Sequence, residues 1–304
     1  MTPAVLRVRH AGPLVTLQDG GRPGLMRFGV PASGPMDPVA HAVANAALGR
    51  PRGSTAVEVS LGGIVVECAG APITVAVCGG GFQVDHAGDR CHGWVVRTLR
   101  PGDVLKVLAG AWGSWCYLAV AGDLVGDRWL GSTSTHVRAG LGGGMVGAGA
   151  ELLVREPVAD EALDGAVDLP AAATRPPGAL RVVPGPQLDC FHPDALDVLL
   201  GSPYVLSPAY DRMGVRLDGP SLPLDDALSI PSTPIVRGSI QVAGDGVPTL
   251  LFADHQTSGG YPKIATVVAD DAVAAVQLRA GDTVRFRAVD PSTAVVAARA
   301  AAMQ

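Results

Sequence analysis

The sequence predicts a mainly β fold: two β-rich halves of barrel or sandwich style, with a few short helices. Three observations carry the β assignment. Short runs rich in Val, Ile and Leu recur along the chain, the pieces between them are built from Gly and Pro, and helical periodicity is confined to two brief stretches. The 40 glycines and 25 prolines among 304 residues are the turn formers such a fold needs, because Gly accepts positive φ and Pro presets φ at about −65°.

In the first half the strand-like runs are Val57–Leu61, Ile64–Cys68, Ile73–Cys78, Trp94–Thr98, Val104–Leu108 and Trp115–Val120, separated by turn sequences such as Gly62-Gly63 and Arg100-Pro101-Gly102-Asp103. One helix is expected over Pro38–Leu48, with Asp37 as N-cap, Pro38 at the first helical position and Gly49 as the stop. A second is expected over Pro193–Leu200, closed by Gly201-Ser202-Pro203. Strands return at Leu180–Val183, Tyr204–Ser207, Ser239–Val242, Thr249–Phe252, Ile264–Val268 and Thr283–Ala288. Between the halves, Glu156–Gly178 is rich in Ala, Pro and acids and lacks an amphipathic period. The expected division is an N-terminal half over 1–160, a linker over 161–178 and a C-terminal barrel half over 179–304.

Composition excludes several classes. With 23 Lys and Arg against 28 Asp and Glu, a net charge of −5 and 4% aromatic residues, the chain has neither the basic stripe nor the stacking platform of a nucleic-acid binder. No apolar run reaches the ~18–20 residues of a membrane helix, and the N-terminus has no basic stretch leading into an apolar core, so a cytoplasmic protein is expected. Five cysteines without a C-x-x-C point to buried thiols, not a disulfide framework or a zinc ribbon.

The common nucleotide and nucleophile motifs fail on context. Gly142–Gly147 spells G-x-G-x-x-G, but no strand leads into it and no helix follows, the setting a pyrophosphate loop requires. Neither Lys106 nor Lys263, the two lysines of the chain, closes a P-loop, and there is no G-x-S-x-G elbow. His86, Cys91 and His92 lack a partner set at zinc spacing, and no metal site is expected.

Three polar, Gly-rich segments carry the chemistry, because Gly permits close backbone approach while the neighbouring side chains supply donors and acids. The first runs from Gln18-Asp19 through Arg22 and Asp37 to the helix bearing Asn45; Arg22 either braces the loop through Asp19 or clamps a carboxylate or phosphate. The second, Ser207–Gly219, holds Arg212 and Arg216 four apart, on one face of an extended segment and suited to a two-pronged anion site. The third, Phe252–Lys263, offers Asp254 as an acid, Gln256 as an amide and Thr257 as a hydroxyl, with Gly259-Gly260 for close approach and Lys263 as a cation.

These segments, with Leu130–Thr135, Gly238-Ser239-Ile240-Gln241-Val242 and Asp254–Pro262, resemble the biotin-dependent carboxyltransferase / allophanate hydrolase subunit 2 family, which includes the KipA-like (C-type) subunits of 5-oxoprolinase. The resemblance runs from about Leu6 to Phe286. It implies a cyclophilin-like β-barrel architecture, and a subunit that works with a KipI-like (B-type) partner and a LamB/YcsF-like (A-type) partner to open 5-oxo-L-proline to L-glutamate. ATP, with Mg, would act at a site shared with a partner, and no biotin would be attached to this chain. On this reading Asp254, Gln256 and Thr257 are catalytic. Asp19, Arg22, Asn45, Arg212, Arg216, Gln241, Gly259, Gly260, Tyr261 and Lys263 bind substrate. Two other readings stay open: a carboxyltransferase acting on urea or a related amide with a biotin carrier supplied in trans, and a non-catalytic regulator binding a KipI-like kinase inhibitor. The chain departs from the family pattern at His255, where Arg is usual, and at Gly143–Val146. The functional expectation rests on residues near 20, 212 and 256 lining one cavity.

Overall fold

The structure is a computed structural model and describes residues 2–170, 175–225 and 230–301. The chain divides into two compact units, Met1–Pro23 with Ala32–Arg175 and Gly24–Pro31 with Pro176–Gln304.

Alternation of apolar and polar side chains decides the first unit. In β1 (Ala4–Ala11), Ala4, Leu6 and Val8 are buried while Arg7 and Arg9 face water, the period of a strand with one wet face. β1 belongs to a seven-stranded sheet with β4 (Ile64–Gly70), β6 (Gln83–His86), β7 (Asp89–His92), β9 (Val104–Leu108), β11 (Asp123–Leu124) and β12 (Glu151–Arg155), in the order β11-β12-β1-β4-β9-β6-β7. A six-stranded sheet contains β2 (Thr16–Gln18), β3 (Ala56–Ser60), β5 (Ile73–Cys78), β8 (Val95–Leu99), β10 (Trp115–Val120) and β13 (Gly165–Ala166), in the order β13-β8-β5-β10-β3-β2. The two sheets enclose one apolar core containing Leu6, Val8, Val57, Ile64, Val77, Leu105 and Leu118.

β5 and β10 are buried at every residue. Their second faces lie under α1 (Pro38–Ala46), whose Ala40 and Ala44 pack against Ala76, Cys78, Tyr117 and Ala119. Burial on both faces is why these strands read as unbroken apolar runs. α1 starts as the sequence requires: Asp37 caps it by accepting a hydrogen bond from Ala40 N at 2.9 Å, and Pro38 stands at the first helical position.

The second unit closes into a seven-stranded barrel. Its strands are β14 (Ala179–Pro184), β15 (Tyr204–Tyr210), β16 (Gly214–Asp218), β18 (Ser239–Val242), β19 (Pro248–Leu251), β21 (Lys263–Val267) and β22 (Thr283–Ala288), in the order β14-β21-β18-β19-β16-β15-β22. The barrel is sealed by a parallel pairing of β14 with β22. A small ladder, β17 (Thr233–Pro234) with β20 (Ser258–Gly259), stands beside it. The helices α2 (Ala195–Gly201), α3 (Ala269–Ala275) and α4 (Pro291–Ala301) complete the unit.

The mainly β architecture with short helices agrees with the sequence reading, and each strand run named there falls on a strand within a few residues. The structure adds strands that the sequence reading does not name, among them β1 and the β6–β7 hairpin that carries His86, Cys91 and His92. Within the segment read as a linker, β13 pairs with β8 and Val167 N donates to Trp94 O at 2.8 Å, so the six-stranded sheet extends into it. Residues 171–174 of that segment lie outside the described residues. One further feature runs against sequence order: Gly24–Pro31 belongs to the second unit although it lies in the first half of the chain.

Leu6→Ala, at a fully buried core position, is expected to lower unfolding free energy by about 2–5 kcal/mol in chemical denaturation. Arg7→Ala, on the wet face of the same strand, is expected to change it by less than about 1 kcal/mol.

Candidate functional site

In the first unit, buried charge has been turned inward. Asp19 follows β2 and is a four-fold acceptor. Its carboxylate takes hydrogen bonds from Gly21 N (3.0 Å), Ser132 Oγ (2.5 Å), Ser134 Oγ (2.7 Å) and Thr133 N (2.8 Å). Burial raises its pKa, and these donors outweigh that and hold the carboxyl below the usual value. Arg22 is buried too and donates to the carbonyls of Trp129 (2.9 Å), Ser132 (3.3 Å) and Ser134 (2.5 Å), its guanidinium lying 5.0 Å from the Trp129 ring centroid. These bonds brace Arg22 on the 129–134 segment. Asn45 likewise ties α1 to the following turn through the His41 and Ser54 carbonyls at 3.2 and 3.1 Å.

A buried acid–phenol cluster stands beside them. Tyr117 Oη donates to Glu58 Oε2 at 2.8 Å and accepts from Asp37 N at 2.7 Å, and Met36 N donates to the same Glu58 oxygen at 2.7 Å. Burial, reinforced by the Glu58 and Asp37 charges, pushes the Tyr117 pKa well above its ordinary value. His41 meets the Tyr117 ring edge-on at 5.3 Å, and burial pulls its pKa down. Glu58 and Tyr117 escape sequence reasoning because each lies inside a strand run, with no motif to mark it.

In the second unit, Arg212 and Asp254 form a bidentate pair: Nε to Oδ2 at 2.8 Å and Nη2 to Oδ1 at 3.1 Å, with side-chain exposures of 2% and 4%. Backbone bonds run beside it, from Asp254 N to Arg212 O and from Phe252 N to Met213 O, both at 2.8 Å. The pair clasps the β15–β16 turn to the start of the 254–263 loop, and Asp254 is a positioning group here because both its oxygens are taken. Arg216 does not join Arg212. Arg212 lies in the turn ahead of β16, closed by Asp211 N on Gly214 O at 3.1 Å, so the strand alternation that governs Arg216 does not extend to it, and Arg216 points outward to an exposed pair with Asp245 at 2.6 Å.

The loop is ordered by amides. Gln256 Nε2 donates to Gln241 Oε1 at 3.0 Å, and Gln241 Nε2 donates to Tyr261 O at 3.0 Å. Gly259 lies so close to this ladder that a Cβ there would stand 3.1 Å from Gln241 Nε2 and 3.3 Å from Gln256 Nε2. A Cβ at Gly260 would stand 2.9 Å from Ile230 O. The close approach these glycines permit is thus to the protein's own groups.

Lys263 is buried, with Nζ donating to Thr233 Oγ1 at 2.6 Å and no carboxylate partner among the described residues. Burial lowers its pKa. His255 is buried as well, and desolvation lowers its pKa against the opposing pull of the Gln256 carbonyl, to which Nδ1 is bonded at 2.7 Å. A neutral imidazole at this position does not replace a guanidinium as an anion contact.

Beside the loop is a cleft of about 500 Å³, lined by Met26, Arg27, Gly29, Ser232, Pro234, Thr257 and Ser258. All seven residues belong to the second unit. Of the segments expected to meet, 212 and 254–256 do so through the clasp. The segment near position 20 reaches residue 257 through Met26–Gly29, while Asp19 and Arg22 are committed within the first unit. The sequence does not single out Arg27, Ser232 or Ser258. Arg27 lies inside the first Gly-rich segment, but Ser232 carries no local signal at all.

Among the described residues no group of three His, Cys, Asp or Glu gathers as a metal site. The glycines of 142–147 are laced to β2 and its neighbours, with Gly143 N on Thr133 O at 2.8 Å and Leu17 N on Gly144 O at 3.2 Å. No helix is long and apolar enough to cross a membrane among the described residues.

The profile of the carboxyltransferase domain, subdomain A and B, matches residues 28–288. The chain is 34% identical over 277 residues to the C-type subunit of the Haemophilus influenzae 5-oxoprolinase, covering 90% of this chain and 88% of that one. Among solved structures, that of TTHA0988 superposes with a TM-score of 0.82 at 30% identity, over 94% of this chain and 55% of the other. The K. lactis urea amidolyase superposes with a TM-score of 0.85 at 25% identity, over 97% of this chain and 19% of the other. The chain thus spans about half of TTHA0988 and a fifth of the amidolyase.

Arg212→Met is expected to cost about 3–5 kcal/mol of unfolding free energy by leaving Asp254 buried and unpaired, with Arg212→Met/Asp254→Leu recovering most of the loss. A negligible loss in the single variant would contradict the clasp. For Lys263 the folded pKa lies below the unfolded value of 10.5, so the unfolded state binds more protons between the two and stability rises with pH across that interval. The denaturation midpoint of the wild type is therefore expected to gain on that of Lys263→Met as pH climbs toward 10.5.

Proposed function

The chain belongs to the carboxyltransferase family, subdomains A and B, and from that premise we propose that it is the C-type subunit of a 5-oxoprolinase, opening 5-oxo-L-proline to L-glutamate together with KipI-like and LamB/YcsF-like subunits. The observation that supports this most is the likeness to a protein of that name over nearly the whole of both chains. The geometry supplies what a small lactam requires: an ordered loop beside a cleft, with hydroxyl donors at Thr257 and Ser258 facing the space. A lactam is resonance-stabilised, so its opening demands charge stabilisation at the carbonyl oxygen, and hydroxyl or N–H donors fixed in advance are the means by which proteins provide it.

The net reaction takes 5-oxo-L-proline, ATP and two waters to L-glutamate, ADP and phosphate. The reading assigns ATP and its Mg to a site shared with a partner subunit. Within this chain, Thr257 contacts the substrate, Gln256 and Gln241 hold the loop, and the Arg212–Asp254 pair fixes where it starts.

A carboxyltransferase reading draws on the likeness to the K. lactis urea amidolyase. It requires a carboxybiotin-loaded carrier in trans, and release of carboxyl to urea on adding that carrier would favour it.

In a complex assembled from the neighbouring subunits, ATP-dependent glutamate release from 5-oxo-L-proline is expected, and Thr257→Ala is expected to lower kcat by about 10–100-fold. Wild-type turnover in Thr257→Ala would remove that hydroxyl from the site.

A further inference from the structure

At least nine of the 21 arginines of this protein are tied to other protein groups. Arg22 braces three carbonyls and Arg212 is locked to Asp254. Arg7, Arg9, Arg90, Arg97, Arg100, Arg181 and Arg216 face carboxylates. Arg27 differs. Its side chain lines the cleft, it is exposed, and among the described residues it makes no ion pair. Its guanidinium rests by the Phe28 ring, whose centroid lies 4.7 Å from Cζ.

Its placement is built. Arg27 is the middle residue of a 3-10 turn, Met26–Phe28, closed by Phe28 N on Leu25 O at 2.9 Å and Gly29 N on Met26 O at 3.0 Å. Gly29 has φ of 78°, a left-handed position that Gly occupies without strain. The rest of the lining is equally fixed. The β17–β20 ladder sets Pro234 against Ser258, and Ile235 N bonds Thr257 O at 3.1 Å. The hydroxyls of Ser232, Thr257 and Ser258 make no hydrogen bond to protein among the described residues. The lining therefore combines a guanidinium without an ion pair and three hydroxyls without protein partners among the described residues.

We propose that this cleft recognises a small carboxylate, with the Arg27 guanidinium as its bidentate anchor and the hydroxyls of Ser232, Thr257 and Ser258 as the other donors. A guanidinium matches the two oxygens of a carboxylate in one plane, and stacking on Phe28 holds the fork at the rim of the space. The volume lies within the usual span for small-ligand sites. The inference deepens the proposed function and rests on it only for which carboxylate is taken. 5-Oxo-L-proline carries the anion that Arg27 would hold, whereas urea is neutral and gains nothing from a cation in this cleft.

The test is ligand binding to the purified full chain by calorimetry and saturation-transfer NMR, with four probes: 5-oxo-L-proline, 2-pyrrolidinone, succinate and inorganic phosphate. 2-Pyrrolidinone is the same lactam without the carboxylate. Wild type is expected to bind 5-oxo-L-proline at least about 10-fold more tightly than 2-pyrrolidinone, and Arg27→Met to erase that preference while its melting temperature stays at the wild-type value. Arg27→Lys is expected to restore part of it. Equal affinity in wild type and Arg27→Met, absence of binding by any carboxylate, or a preference for phosphate over both carboxylates would overturn the proposal. Arg27-dependent binding of succinate but not of 5-oxo-L-proline would uphold the carboxylate site while removing support for the 5-oxoproline reading.

Discussion

The buried pair between Arg212 and Asp254 is the constraint on which the second unit's site depends. A guanidinium and a carboxylate this deeply enclosed cannot separate without leaving a charge in an apolar surrounding, at a cost of several kcal/mol. The turn between β15 and β16 and the start of the 254–263 loop are therefore fixed to one another. Everything downstream is referenced to that point: the Gln256–Gln241 amide ladder, the packing of Gly259 against it, and the lysine resting on Thr233. Thr257 and Ser258, which face the cleft, inherit their positions from this sequence of contacts.

The same rule accounts for the first unit. Asp19, Arg22, Asn45 and Glu58 are polar groups taken out of water, and each is met by protein donors or acceptors. Such groups look catalytic in a sequence because the residue types are the same. What marks them as ties is the backbone groups they hold, and that is a property of the fold. Arg27 shows the converse, an ordinary residue in sequence whose charge is left without a counter-ion on a cavity wall.

Much of the architecture was legible. The capped start at Asp37-Pro38, the doubly buried runs at Ile73–Cys78 and Trp115–Val120, and the barrel strands from Ser239 onward all follow from periodicity and turn chemistry. Two features were not. The alternation argument placed Arg212 and Arg216 on one face, but Arg212 lies in the turn that precedes β16, where the two-residue period of a strand does not hold. The passage of Gly24–Pro31 into the second unit was also invisible, since no local signal tells a long Gly-rich loop which core it will join. That excursion brings Met26–Gly29 into the same cleft as Thr257, so the cleft is assembled from segments more than two hundred residues apart.

Membership of the carboxyltransferase family fixes the scaffold, and the contents of the cleft decide what the scaffold accepts. A crystal structure of the chain grown with 5-oxo-L-proline tests this most directly. The account predicts ligand density in the cleft, with the carboxylate on Arg27 and the lactam carbonyl toward Thr257 and Ser258. A ligand held elsewhere, with the cleft left vacant, would contradict it.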